Sequence, residues 1–432
     1  MESSALAWLT SDGGRELLKT AESLPPDLLT RVTRLRKLAS PDQAAAAVEM
    51  IELRSRASAK FECAGQMIFT QIGLEQSTGD RVAKYRASKF PQGVPILDAC
   101  SGIGGDAMHL SARGPVLTVD RDLASCVCTA YNCSFTKRST QPVRSICADI
   151  TNLDLDRLSR AGFQAAFLDP SRRSIDSGGT SRRTRNPEEY SPALSWLARL
   201  SEVFPFVCAK VSPLIDDGIL SQVVRAQRCS VEFISDRGEC KEAVLWAGDF
   251  GELLPEANRD NDSMRNGYTA TVLDAFGTSS TLGPVSCPAP PIGSVAAWVF
   301  EPAGAVVRAH LTPALAARIP ARLLDPGSYY LTSDADVHTP FATRYRVLDI
   351  LPLRAGEIQK RCVALGRAVS AVKTRWVKIS PDELSRRVSG APKGSPAAVI
   401  IVIRVRERHM ALICEPPSGP PSHPGNTGPS TG

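Results

Sequence analysis

Residues 95–106 read Pro-Ile-Leu-Asp-Ala-Cys-Ser-Gly-Ile-Gly-Gly-Asp, an apolar run broken first by an acid and then by three glycines. Pro95, Ile96 and Leu97 fit the end of a buried strand, which Asp98 closes. Gly102, Gly104 and Gly105 permit a tight turn and a close approach of backbone to a ligand. Met108 and Leu110 open a helical pattern directly afterwards. A strand, a glycine turn and a helix start make a nucleotide-type cradle, of the kind an open parallel sheet carries at the carboxyl ends of its strands.

The surrounding residues, 76–249, alternate short apolar runs with amphipathic stretches, the pattern of βαβ units. Strands are predicted near 95–98, 115–119, 143–147, 164–168, 204–211, 229–235 and 240–247, with helices between most of them. Ser235-Asp236-Arg237-Gly238 is a turn, so the last two runs form a hairpin at one edge. Five parallel strands and an antiparallel terminal hairpin result.

Residues 1–75 read as helical. Ala5, Leu6, Trp8 and Leu9 begin one amphipathic pattern, and a second follows Pro25-Pro26. Ser40-Pro41-Asp42 is an N-cap with Pro at the first helical position. Beyond 250 the chain is less regular, with Gly, Pro and Ser crowding 277–293. Strand-like pieces stand at Ala296–Phe300, Ala305–Val307, Tyr329–Leu331 and Tyr345–Leu351. Helix (355–366), strand (369–373), helix (381–388) and two strands (397–405 and 409–414) complete a small α+β module. The Pro/Gly/Ser tail from 415 to 432 has nothing to bury and reads as disordered.

Composition narrows the class. Hydrophobic residues make up 43% and charged residues 22%, which fits an ordinary globular protein. No apolar run of about 18 residues exists, so no membrane helix is expected. The first residues lack the basic flank and long apolar segment of a secretory signal. Twelve cysteines spread through apolar runs read as reduced thiols of a cytoplasmic protein. Cys126, Cys128 and Cys133 fall on a predicted helix with no histidine beside them and read as packing residues, so no metal is expected. Residues 351–414 hold 13 Lys and Arg against 4 Asp and Glu, a net +9 in a chain of net +6. A basic terminal module on a slightly acidic body points to a polyanion such as RNA.

Gly102 to Ala107 formally fits the dinucleotide pattern G-x-G-x-x-A, with Asp120 placed where a ribose-binding acid belongs. In that pattern the first glycine follows the strand directly, whereas here Asp98, Ala99, Cys100 and Ser101 intervene. An acid at the strand end, three residues and then Gly-x-Gly resembles the first motif of S-adenosylmethionine-dependent methyltransferases of the Rossmann-like class. That resemblance implies a methyl-donor site at Asp98, Cys100, Gly102, Gly104, Gly105 and Asp106. Asp120 would bind the ribose hydroxyls and Asp149, after the third strand, the adenine. It also implies a catalytic loop at Asp169, Pro170, Ser171 and Arg172, after the fourth strand. This loop is similar to the Asp-Pro-Pro-Tyr loop of amino methyltransferases without its aromatic, and to the Asp-Pro-Pro-Arg loop of uracil-C5 methyltransferases without their cysteine strand. Cys208 falls mid-strand and reads as core. Lys210, at the end of the fifth strand, is a candidate to tune a substrate group or pair with phosphate, or to pair with a neighbouring carboxylate. Glu239, Lys241 and Glu242 read as structural ion pairs. Arg173, Arg182, Arg183 and Arg185 follow the Asp169 loop and are candidates for phosphate binding.

Further pieces carry a wider resemblance. They are Ala59-Lys60-Phe61, Gly73 to Thr78, Tyr85-Arg86-Ala87, Lys210 to Pro213, Leu331 to Asp334, Thr339 to Ala342 and Pro381 to Leu384. Together with residues 97–106 and 168–173 they resemble a bacterial family of class I S-adenosylmethionine-dependent methyltransferases with a C-terminal THUMP-like domain. The resemblance implies an N-terminal helical domain (1–78), a Rossmann-like methyltransferase domain (79–249), a connecting β-rich region (250–350) and a THUMP-like α+β module (351–414). THUMP domains proper bind RNA and deliver a distant base to an attached catalytic domain, which makes Lys373 and Arg375 candidates for substrate binding. The implied function is methylation of a base in tRNA or rRNA. A small molecule or protein as acceptor, or an RNA-binding protein without catalysis, are the alternatives.

Overall fold

A computed structural model of the chain describes residues 3–134, 141–175, 181–184, 186–250, 268–374, 377, 379–390, 394–405 and 408–417. Two compact units divide it, residues 1–281 and 282–432.

The first unit opens with four helices, α1 (Ser3–Leu9), α2 (Asp12–Ser23), α3 (Leu28–Leu35) and α4 (Pro41–Ala57). The Ser40 and Gln43 side chains cap each other's backbone reciprocally at the start of α4, with Pro41 at the first position as its fixed φ allows. Asp27, not the preceding proline pair, caps α3. The short α5 (Gln71–Gln76) and α6 (Asp80–Ser88) lead to the sheet. Leu6, Leu53, Phe61, Ile68 and Phe69 share one core with Ile103, Ala107 and Cys128. The helical N-terminal residues are thus packed onto the sheet rather than around a core of their own.

The sheet contains β1 (Ile96–Ala99), β2 (Val116–Asp120), β3 (Val143–Cys147) and β4 (Ala165–Leu168). After β4 a two-stranded hairpin, β5 (Arg173–Ile175) and β6 (Ser181–Arg183), stands apart. The sheet resumes with β7 (Phe206–Val211), β8 (Ser230–Asp236), β9 (Glu239–Gly248), β10 (Tyr268–Leu273) and β11 (Ser279–Leu282). Helices α7 (Ala107–Leu110), α8 (Leu123–Ser134), α9 (Leu155–Arg160), α10 (Trp196–Val203) and α11 (Asp217–Gln227) connect the strands. The order is β11-β10-β8-β9-β7-β4-β1-β2-β3. Strands β3, β2, β1, β4 and β7 run parallel, and β9 lies antiparallel between β7 and β8. The expected five parallel strands and the antiparallel hairpin are therefore present, but the hairpin lies inside the sheet and not at its edge. Residues 268–282 extend the same sheet, because β10 pairs parallel to β8. Their sequence offers no alternation that assigns them to either neighbour.

The second unit holds β12 (Trp298–Pro302), β13 (Arg322–Leu323), β14 (Leu331–Ser333), β15 (Ala342–Pro352), β16 (Ala368–Thr374), β17 (Ala397–Val405) and β18 (Arg408–Cys414). They form one sheet in the order β13-β14-β12-β15-β18-β17-β16. Its helices are α12 (Gly304–Arg308), α13 (Thr312–Arg318), α14 (Ala355–Ala364) and α15 (Pro381–Val388). Strand β17 shows the period of two that builds it. Val399, Ile401 and Ile403 join Tyr345 in one core, while Ala398, Ile400 and Val402 meet Ile358 and Leu384 of α14 and α15. Burying each such aliphatic side chain stabilises by roughly 1.5–3 kcal/mol. The expected strand at Ala305–Val307 is a helix instead, as Ala309 N–H bonding to the Ala305 carbonyl at 2.8 Å shows. Three apolar residues are too few to display a helical period. The tail expected to be disordered falls, from residue 418, outside the described residues.

Candidate active site

The carboxyl ends of β1, β2, β4 and β7 and the loop around α5 enclose a cavity of 1210 Å³. Its floor is the glycine turn. Cys100 stands at φ 70°, in the left-handed region that a non-glycine residue adopts only where surrounding structure compels it. The Cys100 and Ser101 N–H groups both donate to the Val119 carbonyl, at 2.8 and 3.1 Å, which pins the turn to β2. Helix α8 grips it from behind. Thr129 Oγ1 donates to the Gly102 carbonyl at 2.8 Å, and Asn132 Nδ2 to that of Ile103 at 2.9 Å.

The three glycines differ in role. Gly102 has φ 56° and open space where a Cβ would stand, and it lies on the cavity wall. Gly105 is also on the wall. Gly104 has φ 83°, and a Cβ there would come within 3.0 Å of the Thr129 Cα, so this glycine admits α8 rather than a ligand.

The acids divide as well. Asp120 and Asp149 line the cavity. Asp120 accepts from the Gly102 N–H at 2.8 Å and the Asp122 N–H at 2.9 Å, yet burial outweighs these bonds and raises its pKa. Asp149 accepts from the Thr151 hydroxyl and N–H at 2.7 and 2.9 Å, which lowers its pKa. Asp106 lines the wall and pairs with Arg86. Asp98 lies behind the wall, fully buried, and neither of its carboxylate oxygens has a hydrogen-bond partner among the described residues. Burial, and next the fields of Asp106 and Asp169, push its pKa far up. Arg86 runs beneath the floor between Asp106 and Glu242, with its guanidinium 4.5 Å from the Phe167 ring centre. Glu242 and the Lys241–Glu239 pair are thus the structural ion pairs their sequence implied.

Opposite the glycine turn, Asp169, Pro170, Ser171 and Arg172 line the cavity. Lys210 Nζ lies 2.6 Å from Asp169 Oδ2 and donates to Thr78 Oγ1 at 2.8 Å. The carboxylate-pair reading of Lys210 is the one the contacts bear out, and its partner is itself on the cavity wall. Cys208 is wholly buried. Sequence reasoning missed Thr78 and Lys60 as site residues. Lys60 Nζ donates to the Leu74, Glu75 and Ser77 carbonyls at 2.7, 3.3 and 3.1 Å and so ties down the loop that carries Thr78. Burial, followed by the charge of Lys210, lowers the Lys60 pKa. Both residues stand in segments that carried the family resemblance, but nothing in their spacing marks them as part of a site.

Of the arginine candidates, the backbone of β5 and β6 sets Arg173 opposite Arg183 and Ser174 opposite Arg182. Arg185 and Arg375 lie outside the described residues. Lys373, in the second unit, lies 2.5 Å from Glu301 Oε2 and 5.4 Å from the Tyr345 ring centre.

The cavity fits a cationic ligand. Glu49, Glu75, Asp106, Asp120, Asp122, Asp149 and Asp169 line it against Arg121, Arg172 and Lys210. A molecule bearing a sulfonium and an ammonium group meets these demands, with Asp106, Asp120, Asp149, Cys100, Gly102 and Gly105 able to hold it.

Two relatives from Mycobacterium tuberculosis strains, each described as an uncharacterized S-adenosylmethionine-dependent methyltransferase, are 28% identical over 389 residues. The match covers 87% of this chain and 98% of theirs. A crystal structure from Porphyromonas gingivalis, assigned as a methyltransferase, shares the fold at a TM-score of 0.71 and 19% identity, over 93% of this chain and 97% of that one. Residues 342–416 match the THUMP domain-like family, and residues 2–57 a domain of unknown function.

Proposed function

We propose that this chain, an S-adenosylmethionine-dependent methyltransferase carrying a C-terminal THUMP-like domain, methylates a base in RNA. The bound donor supplies an electrophilic methyl group. The chain's own residues supply position, which carries most of the catalysis in an in-line displacement. Asp106, Asp120 and Asp149 favour the positive donor, and the glycine turn lets it lie against backbone. Asp169 and Lys210 face it across the cavity.

The observation that carries the RNA reading is the continuity of the Asp169 loop with the β5–β6 hairpin. Its register puts Arg173 directly opposite Arg183. Arg173, Arg182 and Arg183 thus follow the Asp169 loop directly in the chain, and arginine is the residue suited to bidentate phosphate contacts. The net +9 of residues 351–414 and the THUMP-like match support the same partner.

The test is transfer of tritium from labelled donor to total RNA, protein and small metabolites from cells lacking the gene. Label in RNA is expected. The acid-lined cavity also suits a small amine, and label confined to the metabolite or protein fraction would replace the RNA reading.

A further inference from the structure

Resting on that reading, we propose that Asp169 and Lys210 recognise a lactam edge of the acceptor base, a ring N–H beside a carbonyl, and that the ring nitrogen receives the methyl group. Lys210 has three N–H bonds. Two point to Thr78 Oγ1 and Asp169 Oδ2, and the third has no partner among the described residues and can serve a ligand. Asp169 Oδ2 stands 2.6 Å from Lys210 Nζ, so an acceptor and a donor sit side by side on the cavity wall. Their complement is a donor and an acceptor on adjacent atoms of a base.

All four bases offer such an edge, and chemistry separates them. Guanine and uracil present a lactam, N1–H with O6 or N3–H with O4. The positive charge of Lys210 at the carbonyl oxygen stabilises the negative charge left when the N–H proton passes to Asp169. The freed nitrogen pair then forms the bond to the methyl carbon, and the pair of the carbon's former bond leaves with the sulfur. In adenine and cytosine the same cation would meet a ring nitrogen and draw electron density away from the amino group, which opposes attack by that group. Arg172 occupies the place where amino methyltransferases carry an aromatic. Methylation at carbon by way of a thiolate is disfavoured too. Cys100 is the cysteine on the wall, and burial beside Asp120 and Asp169 pushes its thiol far up.

Two measurements on the full chain test this. In the first, the modified nucleoside made in RNA from cells lacking the gene is identified by mass and NMR. A methyl on N1 of guanosine or N3 of uridine is expected. A methyl on an exocyclic amine, a carbon or a ribose oxygen overturns the lactam assignment and leaves the RNA reading intact. The second needs no turnover. Calorimetric competition among GMP, UMP, AMP and CMP, with S-adenosylhomocysteine present, is expected to favour GMP or UMP by about tenfold or more, as one buried hydrogen-bonded pair allows. Lys210→Met is expected to erase that preference. Equal binding of the four nucleotides, preference for AMP or CMP, or no binding at millimolar nucleotide overturns the proposal, whatever becomes of the RNA.

Discussion

Asp120 Oδ2 accepts the Gly102 backbone N–H at 2.8 Å, so the acid that ends β2 helps to build the cradle it faces. Its other oxygen takes the Asp122 N–H at 2.9 Å. Asp120→Ala removes both bonds. Thermal unfolding is expected to show a loss of about 1–3 kcal/mol. Calorimetry with S-adenosylhomocysteine is expected to show at least about a tenfold loss of affinity, the worth of one hydrogen bond to a charged group. Unchanged affinity beside reduced stability would leave Asp120 a purely structural residue.

Gly102 and Gly104 differ by two positions and separate two kinds of constraint. Gly104→Ala forces a Cβ to 3.0 Å from the Thr129 Cα at φ 83°. A left-handed non-glycine residue alone costs roughly 1–2 kcal/mol, and backbone on α8 cannot swing aside. Gly102→Ala carries the similar φ of 56° but meets nothing within 4 Å. Gly104→Ala is therefore expected to lower the unfolding midpoint more, and Gly102→Ala to weaken donor binding more. The reverse ranking would mean that ligand contact and packing have been assigned to the wrong glycines.

These contrasts mark where the sequence stops being legible. Asp98, Asp120, Asp149 and Asp169 follow strands, and strand order follows from apolar periodicity, so their gathering at one sheet edge could be read in advance. Whether a side chain faces the cavity or the core could not, because Gly102 and Gly104 look alike in sequence. Asp98 and Asp106 likewise look alike, yet one lies behind the wall and the other on it. Thr78 enters the site, and Lys60 braces it, from turns between helices that carry no catalytic pattern. Arg86 is a basic residue in a helix, and only tertiary structure shows it buried between two carboxylates. The β10 and β12 strands joined different sheets for reasons of long-range pairing that no local pattern records.

Arg86 is 1% exposed and ion-paired with both Asp106 and Glu242. Arg86→Met strands two buried carboxylates, and breaking a buried pair this way costs about 3–5 kcal/mol. Denaturant unfolding is the measure. Adding Glu242→Gln to Arg86→Met removes one stranded charge and is expected to restore part of the loss. A double variant no more stable than the single one would show that packing on Phe167 matters more than charge.

Lys373 shares Glu301 with the hydroxyl of Tyr345, which lies 3.1 Å from the carboxylate. Lys373→Met leaves Glu301 short of its cation and is expected to destabilise the second unit by about 1–3 kcal/mol. A lysine engaged this way contributes little to phosphate binding, so the salt dependence of RNA affinity is expected to stay the same. A fall of about one in that slope would make Lys373 a phosphate contact instead.

Asp98 has no hydrogen-bond partner for either oxygen among the described residues, and burial raises its pKa far above the usual carboxylate value. In the unfolded chain it titrates near the ordinary 3.8. Between these two pKa values the folded state holds a proton that the unfolded state has lost. Stability from this group is therefore complete below the ordinary carboxylate range and declines as pH rises toward the folded pKa. Asp98→Asn keeps the shape, removes the titration and is expected to raise the unfolding midpoint at neutral and higher pH while changing it little at pH 4. Asp98 already carries a proton at neutral pH in the folded state, so the same substitution removes no charge and is expected to leave the affinities for S-adenosylmethionine and S-adenosylhomocysteine alike and little changed. Parallel melting curves from pH 4 to 9 and a pair of calorimetric titrations measure both effects. A loss of affinity for the sulfonium ligand alone, or a variant less stable at every pH, would mean that Asp98 stands ionised in the fold and acts through its charge.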